Sequence, residues 1–464
     1  RYPVRYYPDT THTTHSEFTV PDWDVALAVT EGREVINPQP RTAAKIFKAN
    51  SPSTIGFVTY SEGVHDDVNK CIWSSLGWDP EVDMISVLRE YSRYYIGGAC
   101  EEGLAASLFN LEDNWTGALI TNVAVDNTLR QAQAIERCAT PQMRLNWRFQ
   151  QILYRAYFDA FVRERLISET ALEQLANEKL RLAPRTGSVI ALDEAERVLD
   201  EAVTKPVAQD LRSRVFELGE ALYQSIRMQL SVDRYAAVAV SRGAQLDSID
   251  VPLNNRWWLK NRFVSIRDIE NEKQRLDAIE EVLGRTDPGP NGFYDDLGNP
   301  RMQPHLVSDG PGFDLDPGAY HSVRRGFACF SGGFVGRVSR DAIDPDGAAS
   351  FLKTPNAWWT WAETRYETPL TLRYDRLDPN ARYILRVVIA VERVGRKFRL
   401  VADDGIEIHS WIKCPKPIQP IEFEIPSAAL ATGTLTLHWH VEPGGGSFDS
   451  SFAISEAFLM RRES

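Results

Sequence analysis

The sequence has little cysteine and no paired pattern of it. The five Cys among 464 residues (Cys71, Cys100, Cys138, Cys329 and Cys414) are scattered, odd in number and without a CxxC pair. That argues against both a disulfide framework and a zinc ribbon, and they read as small buried hydrophobes. Basic residues are in deficit: 52 Lys and Arg stand against 64 Asp and Glu, a formal net charge of −12. A phosphate-backbone binder needs a basic stripe to displace counterions, so no nucleic-acid partner is expected. No run of eighteen apolar residues occurs, so no membrane span is expected. A GxSxG nucleophile elbow is absent, and neither GGACEEG nor SGGFVG stands in the strand-to-helix context of a phosphate-binding fingerprint. Esterase, kinase and dinucleotide readings fall away.

Large side chains are plentiful, with twelve Trp, which supports sizeable cores. The length exceeds one ordinary core and implies two or three domains. The opening RYPVRYYPDT has no initiator Met and no leader pattern, and it reads as the middle of a strand. The chain is therefore expected to be the C-terminal part of a longer polypeptide or a processed fragment. No compartment can be assigned from it.

Three patterns follow one another. Residues 1–79 alternate strand-like and helix-like segments: Tyr2 to Tyr7, a short helix over Thr42 to Ala49, the apolar run Ile55 to Tyr60, and a helix beginning within Val64 to Trp73. A closed eight-stranded barrel takes about 250 residues, so residues 1–79 supply only partial (β/α) barrel units, which an upstream segment of the same polypeptide would complete. Residues 80–285 carry long amphipathic patterns, among them EVDMISVLREYSRYYIG, with helices expected to Leu283 and including Val207 to Ser231 and Ile266 to Leu283. The aromatic-rich WRFQQILYRAYFDAFVRERL reads as a buried central helix. Residues 286–326, dense in Gly, Pro and Asp, read as a linker or ordered loop. Residues 327–464 contain about seven alternating β-rich runs, the pattern of an antiparallel, jelly-roll-like β-sandwich. The fold class expected is thus multidomain α/β + α + β: the C-terminal part of a (β/α)8-type barrel, a helical bundle and a sandwich.

Glu62 is the leading candidate for chemistry. It ends the run TIGFVTYSEG, and a carboxylate at the C-terminal mouth of a parallel strand can act as acid, base, nucleophile or hydroxyl ligand. The alternative is a first-turn acid stabilised by the helix dipole, which suits Asp66 and Asp67 better. Asp9, His12 and His15 follow the strand Tyr2 to Tyr7 and would share that mouth if the two strands belong to one parallel sheet. His12 and His15 make a metal site only with a third ligand nearby. None is evident, so no metal and no cofactor are assigned, and both His are read as substrate-binding. Tyr60, Asn69 and Trp23 join that set, the last as a sugar platform between Asp22 and Asp24, with Glu31 a weaker acid. In the Gly-rich stretch GFYDDLGNPRMQPH, Tyr294 and Asp295, beside Asp296 and His305, would serve if the loop folds back over the mouth; turn-capping is the alternative. Trp358, Trp359 and Trp361 could form a second platform, although Trp in a sandwich core is the commoner case. Of His409, His438 and His440, the last two share one strand face and read as surface or edge residues, and no metal is assigned to them.

The run TYSEG, followed by DDVNKCIWSSLGWDP and the helix EVDMISVLREYSRYYIG, resembles the junction between barrel and helical domain in several glycoside hydrolases: the α-glucuronidases, the O-linked and α-linked N-acetylglucosaminidases, and bacterial glycosidase-like proteins. The resemblance covers the architecture of residues 1 to 285. It implies a barrel with two carboxylates walled by a helical domain, and a carbohydrate substrate. The C-terminal part resembles the jelly-roll modules attached to many glycosidases. Asp9 with Glu62 is the catalytic pair the sequence offers. The expectation is a glycoside hydrolase acting on a glycan or glycoconjugate; the alternative is a noncatalytic carbohydrate-binding or assembly protein.

Overall fold

The computed structural model describes residues 2–13, 20–307, 311–327, 354–366, 368–390, 397–413, 415, 418–444 and 452–462. Helices and antiparallel sheets dominate, a multidomain α+β architecture, and among the described residues there is no closed sheet. No helix among them is long and apolar enough to cross a membrane. Two compact units divide the described chain. The first takes the residues up to Ala176 together with Ala195–Arg256, and the second takes Asn177–Glu194 and everything from Trp257 onward.

The first unit opens on two extended segments that pair in parallel. Tyr6 bridges Phe57 and Asp9 bridges Tyr60, through a ladder that includes Ile55 N to Val4 O at 2.8 Å, Tyr60 N to Pro8 O at 2.9 Å and Thr10 N to Tyr60 O at 3.1 Å. Pro8 contributes only its carbonyl to this ladder, since proline has no N–H to donate. Around this pair the helices are α1 (Val25–Glu31), α2 (Pro40–Asn50), α3 (Asp67–Trp78), α4 (Met84–Tyr95), α5 (Glu101–Asp113), α6 (Ala124–Cys138) and α7 (Pro141–Arg144). Next come α8 (Trp147–Arg181), which lies in this unit up to Ala176, α9 (Ala183–Thr186), which belongs to the second unit, α10 (Ser188–Thr204), which belongs to this unit from Ala195, and α11 (Gln209–Ile226) and α12 (Val232–Tyr235) of this unit. Local chemistry sets their starts: Asp24 and Asp83 cap α1 and α4 by accepting from Ala26 N and Ser86 N, Thr140 caps α7, and Pro40 occupies the first turn of α2.

The aromatic run of α8 is core, as its pattern implies: Phe149, Tyr154, Phe158 and Phe161 are buried almost completely. Each such side chain contributes on the order of 1.5–3 kcal/mol by leaving water. Two expected helices are shorter than their patterns. The one expected through Ser231 stops at Ile226 because Arg227 turns left-handed, φ 59°. The one expected over Ile266 to Leu283 is two helices, α13 (Arg256–Arg267) and α14 (Glu272–Leu283), because Asn271 adopts an extended conformation and caps α14 through Gln274 N.

The second unit holds the sandwich. One sheet has the order β3 (Arg324–Phe327), β4 (Thr360–Thr364), β11 (Phe452–Arg462), β6 (Arg382–Ile389), β9 (Pro420–Ile425), with β1 (Phe293–Asp296) also on β11. The other has the order β2 (Leu306–Val307), β5 (Leu370–Tyr374), β10 (Leu435–Val441), β7 (Lys397–Ala402), β8 (Glu407–Lys413). Among the described residues the strands of both sheets pair antiparallel, and the core comes from alternate residues of both sheets, among them Leu372, Leu385, Val387, Leu400, Leu437, Trp439 and Leu459. The expected linker is different from its reading: β1, β2 and β3 lie within 286–327 and pair with sandwich strands. Its Gly and Asp residues hid four-residue and two-residue strands too short to carry a period.

Candidate functional site

The parallel pairing brings the ends of both extended segments to one place, where the first unit gathers three carboxylates, two guanidinium groups and an imidazole. Asp9 ends the first segment. Its Oδ1 accepts from the amides of Thr11 and His12, both at 3.0 Å, and its Oδ2 lies 2.6 Å from His12 Nδ1. The His12 ring stacks on Tyr60, centroids 5.8 Å apart. Its far nitrogen, Nε2, stands 3.5 Å from Glu34 Oε1 and 3.6 Å from Glu62 Oε2. Glu34 arrives through an antiparallel bridge between His12 and Glu34.

Glu62 is fixed from several sides. Its amide donates to Thr11 Oγ1 at 2.9 Å, the Tyr60 hydroxyl donates to Oε1, and Arg242 Nη2 lies 3.1 Å from Oε2. Arg242 Nε is also 3.4 Å from Glu34 Oε1, and Arg33 Nη2 is 2.5 Å from the same oxygen. Burial opposes ionisation of Glu62, yet the Tyr60 hydroxyl, the Glu34 carboxyl, His12 and Arg242 together bring it down to about 2. Burial likewise opposes charge on His12, but the Asp9 and Glu34 carboxylates outweigh it and push the imidazole up to about 9. Tyr60 rises to about 12, chiefly through its hydrogen bond to Glu62. At neutral pH the cluster thus holds an ionised Glu62 facing a protonated His12. His65, held down by burial, lies within electrostatic reach of Glu34 and His12.

Asp66 explains the junction between strand and helix. Buried at the start of α3, it accepts from Thr11 Oγ1 at 2.6 Å and Ser61 Oγ at 3.2 Å and pairs with Lys70 at 2.8 Å. Asp67, in the first turn, pairs with Arg148 at 2.8 Å. Both are structural carboxylates, as their positions imply. Glu62 is free of that duty and faces the cluster.

The remaining candidates separate. Asn69 is buried and holds backbone: its Nδ2 donates to Thr10 O at 3.2 Å and Asn37 O at 2.9 Å, and its Oδ1 accepts from Gln39 N at 2.9 Å. With its amide so committed, it is a staple between loops instead of a substrate ligand. Trp23 is 1% exposed, a core residue with no face to offer a sugar. Glu31 is wholly buried, 3.3 Å from Arg155, with burial pushing its carboxyl well up. Tyr294 and Asp295 lie on β1 in the second unit: Tyr294 donates to Glu456, while Asp295 is fully buried and binds His305 Nδ1 and the Tyr374 hydroxyl. Buried pairing within the sandwich accounts for both, and for the Trp pair too, since Trp359 and Trp361 are buried. His15 lies outside the described residues.

Sequence reasoning missed Glu34, Arg33 and Arg242. Glu34 sits in TEGREVINPQP, three residues after Glu31, without periodicity or a strand signal to aim it. Arg242 lies 180 residues from Glu62 in a short helical turn, and no local pattern marks it. One His and two Glu are here close enough to hold a cation, their ligand atoms all within 4.8 Å of one another.

The fold and this cluster define a two-unit α+β protein with a carboxylate and histidine centre. No family model matches the sequence, and no curated protein is similar to it at a significant level. Among solved structures it is similar to the plant receptor-like kinase ANX1, at 12% identity and a TM-score of 0.25 over 37% of this chain and 48% of that one. It is also similar to a family GH115 4-O-methyl-α-glucuronidase with specificity for decorated arabinogalactans, at 9% identity and a TM-score of 0.27 over 98% of this chain and 51% of that one. The chain spans about half the length of each. At such low structural agreement neither likeness bears on the activity.

Proposed function

We propose that this chain carries the carboxylate centre of a glycoside hydrolase, with a glycan or glycoconjugate as substrate and the paired segments 4–10 and 55–60 as the end of a barrel. The observation behind this reading is the convergence of Glu62 and Glu34 on one point, with Glu62 held ionised. Ionised, Glu62 suits a nucleophile or a stabiliser of the positive charge that develops on the sugar ring. Glu34 takes the place expected for Asp9 as the second carboxyl, since it converges with Glu62 on His12 Nε2 and Arg242. Asp9, with both oxygens engaged, orients His12. Oxygens of Glu34 and Glu62 lie no more than 4.8 Å apart, nearer the roughly 5–5.5 Å of retaining pairs than the roughly 6.5–9.5 Å that leaves room for an inverting water.

The test is hydrolysis of a panel of aryl glycosides and glycuronides by the chain and by Glu62→Gln and Glu34→Gln variants, with the anomer of the first product read by NMR. Cleavage that falls by about a thousandfold or more in Glu62→Gln supports the reading. Unchanged cleavage in both variants overturns it.

One observation favours the noncatalytic alternative: Arg33 and Arg242 already neutralise Glu34 and Glu62, as in a structural ion cluster. Retained binding on a glycan array, with no cleavage of any substrate, would select that alternative.

A further inference from the structure

His12 presents a feature that neither an ion cluster nor a hydrolytic carboxylate pair requires. Its side chain is 9% exposed, and its Nε2 is buried without a hydrogen-bond partner. That nitrogen is aimed between Glu34 and Glu62. We propose that His12 Nε2, Glu34 and Glu62 form a divalent-cation site of the zinc or manganese class. The proposal concerns the same cluster as the hydrolase reading but rests on its geometry, not on the reaction.

Spacing is the first support. An ion held tetrahedrally by nitrogen and oxygen at about 2.0–2.2 Å sets its ligand atoms about 3.3–3.6 Å apart. The His12 to Glu34 and His12 to Glu62 separations are 3.5 and 3.6 Å. The third edge, between the glutamates, is at most 4.8 Å.

Orientation of the imidazole is the second. A ligating His ordinarily donates its other N–H to a carboxylate, which fixes the tautomer and raises the basicity of the ligating nitrogen. Asp9 occupies that position at 2.6 Å, itself locked by the amides of Thr11 and His12. The proton thus belongs on Nδ1 when a cation is bound, leaving the Nε2 lone pair directed into the cluster.

Arg242 is the third. It bonds one oxygen of each glutamate, so it stands where a cation is electrostatically favoured, yet it is 44% exposed and on a flexible stem. It is positioned to leave when a metal enters, while Arg33 stays on Glu34 and keeps part of the charge balanced. Nothing in the sequence announced the site, because two of its three ligands reach His12 only through the fold.

The experiment is isothermal titration of Zn²⁺ and of Mn²⁺ into chelator-stripped protein, with Co²⁺ absorption as a readout of coordination geometry. The expected result is saturable binding of one ion per chain. His12→Ala should abolish it and Glu34→Gln should weaken it, with circular dichroism confirming that both variants remain folded. Arg242→Ala, an exposed substitution, should bind about tenfold more tightly because a competing cation is gone. Absence of saturable binding, binding indifferent to His12→Ala, or weaker binding in Arg242→Ala would overturn the proposal. Saturable metal binding without any glycoside cleavage sinks only the hydrolase reading, and cleavage by the wild-type chain that shows no saturable metal binding sinks only this one.

Discussion

Asp9 Oδ2 and His12 Nδ1 lie 2.6 Å apart, and the other oxygen of Asp9 is held by two backbone amides. The carboxylate is therefore a rigid part of the loop, and the ring it orients can turn only by breaking that bond. Asp9→Asn keeps the shape of the side chain but removes the charge and one acceptor. Loss of such an orienting partner commonly costs about 10–100-fold in metal affinity or activity. We expect both zinc affinity and any glycoside cleavage to fall by that order, with little change in the melting curve.

Arg155 is wholly buried between two acids, with Nε 2.8 Å from Asp159 and 3.3 Å from Glu31, and it also bonds Asn37 Oδ1 and the Ile36 carbonyl. Arg155→Met would leave the acids facing each other in the core, and breaking such a buried pair costs about 3–5 kcal/mol. Glu31→Gln should be close to neutral, because burial already disfavours the ionised form of Glu31. Urea unfolding of the two variants followed by Trp fluorescence tests the contrast; equal losses would contradict it.

Asn69 ties three backbone groups of the loops that carry the cluster. Asn69→Ala leaves those buried groups without partners, at a cost of about 2–4 kcal/mol. Hydrogen exchange should quicken locally around Thr10, Asn37 and Gln39, and a globally uniform change would argue against a local staple.

Asp296, at the end of β1, is pushed up from 3.8 to about 8 by burial first and then by the charge of Glu456, with Arg285 opposing. A raised carboxyl favours the protonated form in the fold, so its contribution is intact below pH 3.8, declines as pH rises and is lost above about 8. Asp296→Asn removes that loss. Its stabilising effect should therefore grow from about pH 4 to about pH 8 and then level off. Melting temperatures across that range check the sign: a gain that shrinks with rising pH would refute it.

Much of the fold was legible because its signals are local. The apolar spacing of three and four that buries Leu88 and Tyr91 on α4, and the aromatic face of α8, follow from helix geometry alone. Strands β7, β9 and β10 alternate plainly enough to read. The short strands β1, β2 and β3 do not, because two to four residues carry no period and their identity depends on the edges they join.

For the site, the sequence by itself determined that His12, Asp9 and Glu62 follow extended segments, since β-branched and aromatic runs ending in polar residues mark such ends. Only the tertiary structure decided that the two segments pair in parallel, that Asp9 turns back onto His12, and that Glu34 and Arg242 complete the cluster. It also decided which polar residues are staples and which face the cluster: Asp66 and Asn69 saturate their hydrogen bonds within the loops, while His12 Nε2 does not. The physical reason is that a hydrophobic period is written in neighbouring residues, whereas an electrostatic cluster is made by groups whose separation, up to 180 residues here between Arg242 and Glu62, is closed by the packing of the whole unit.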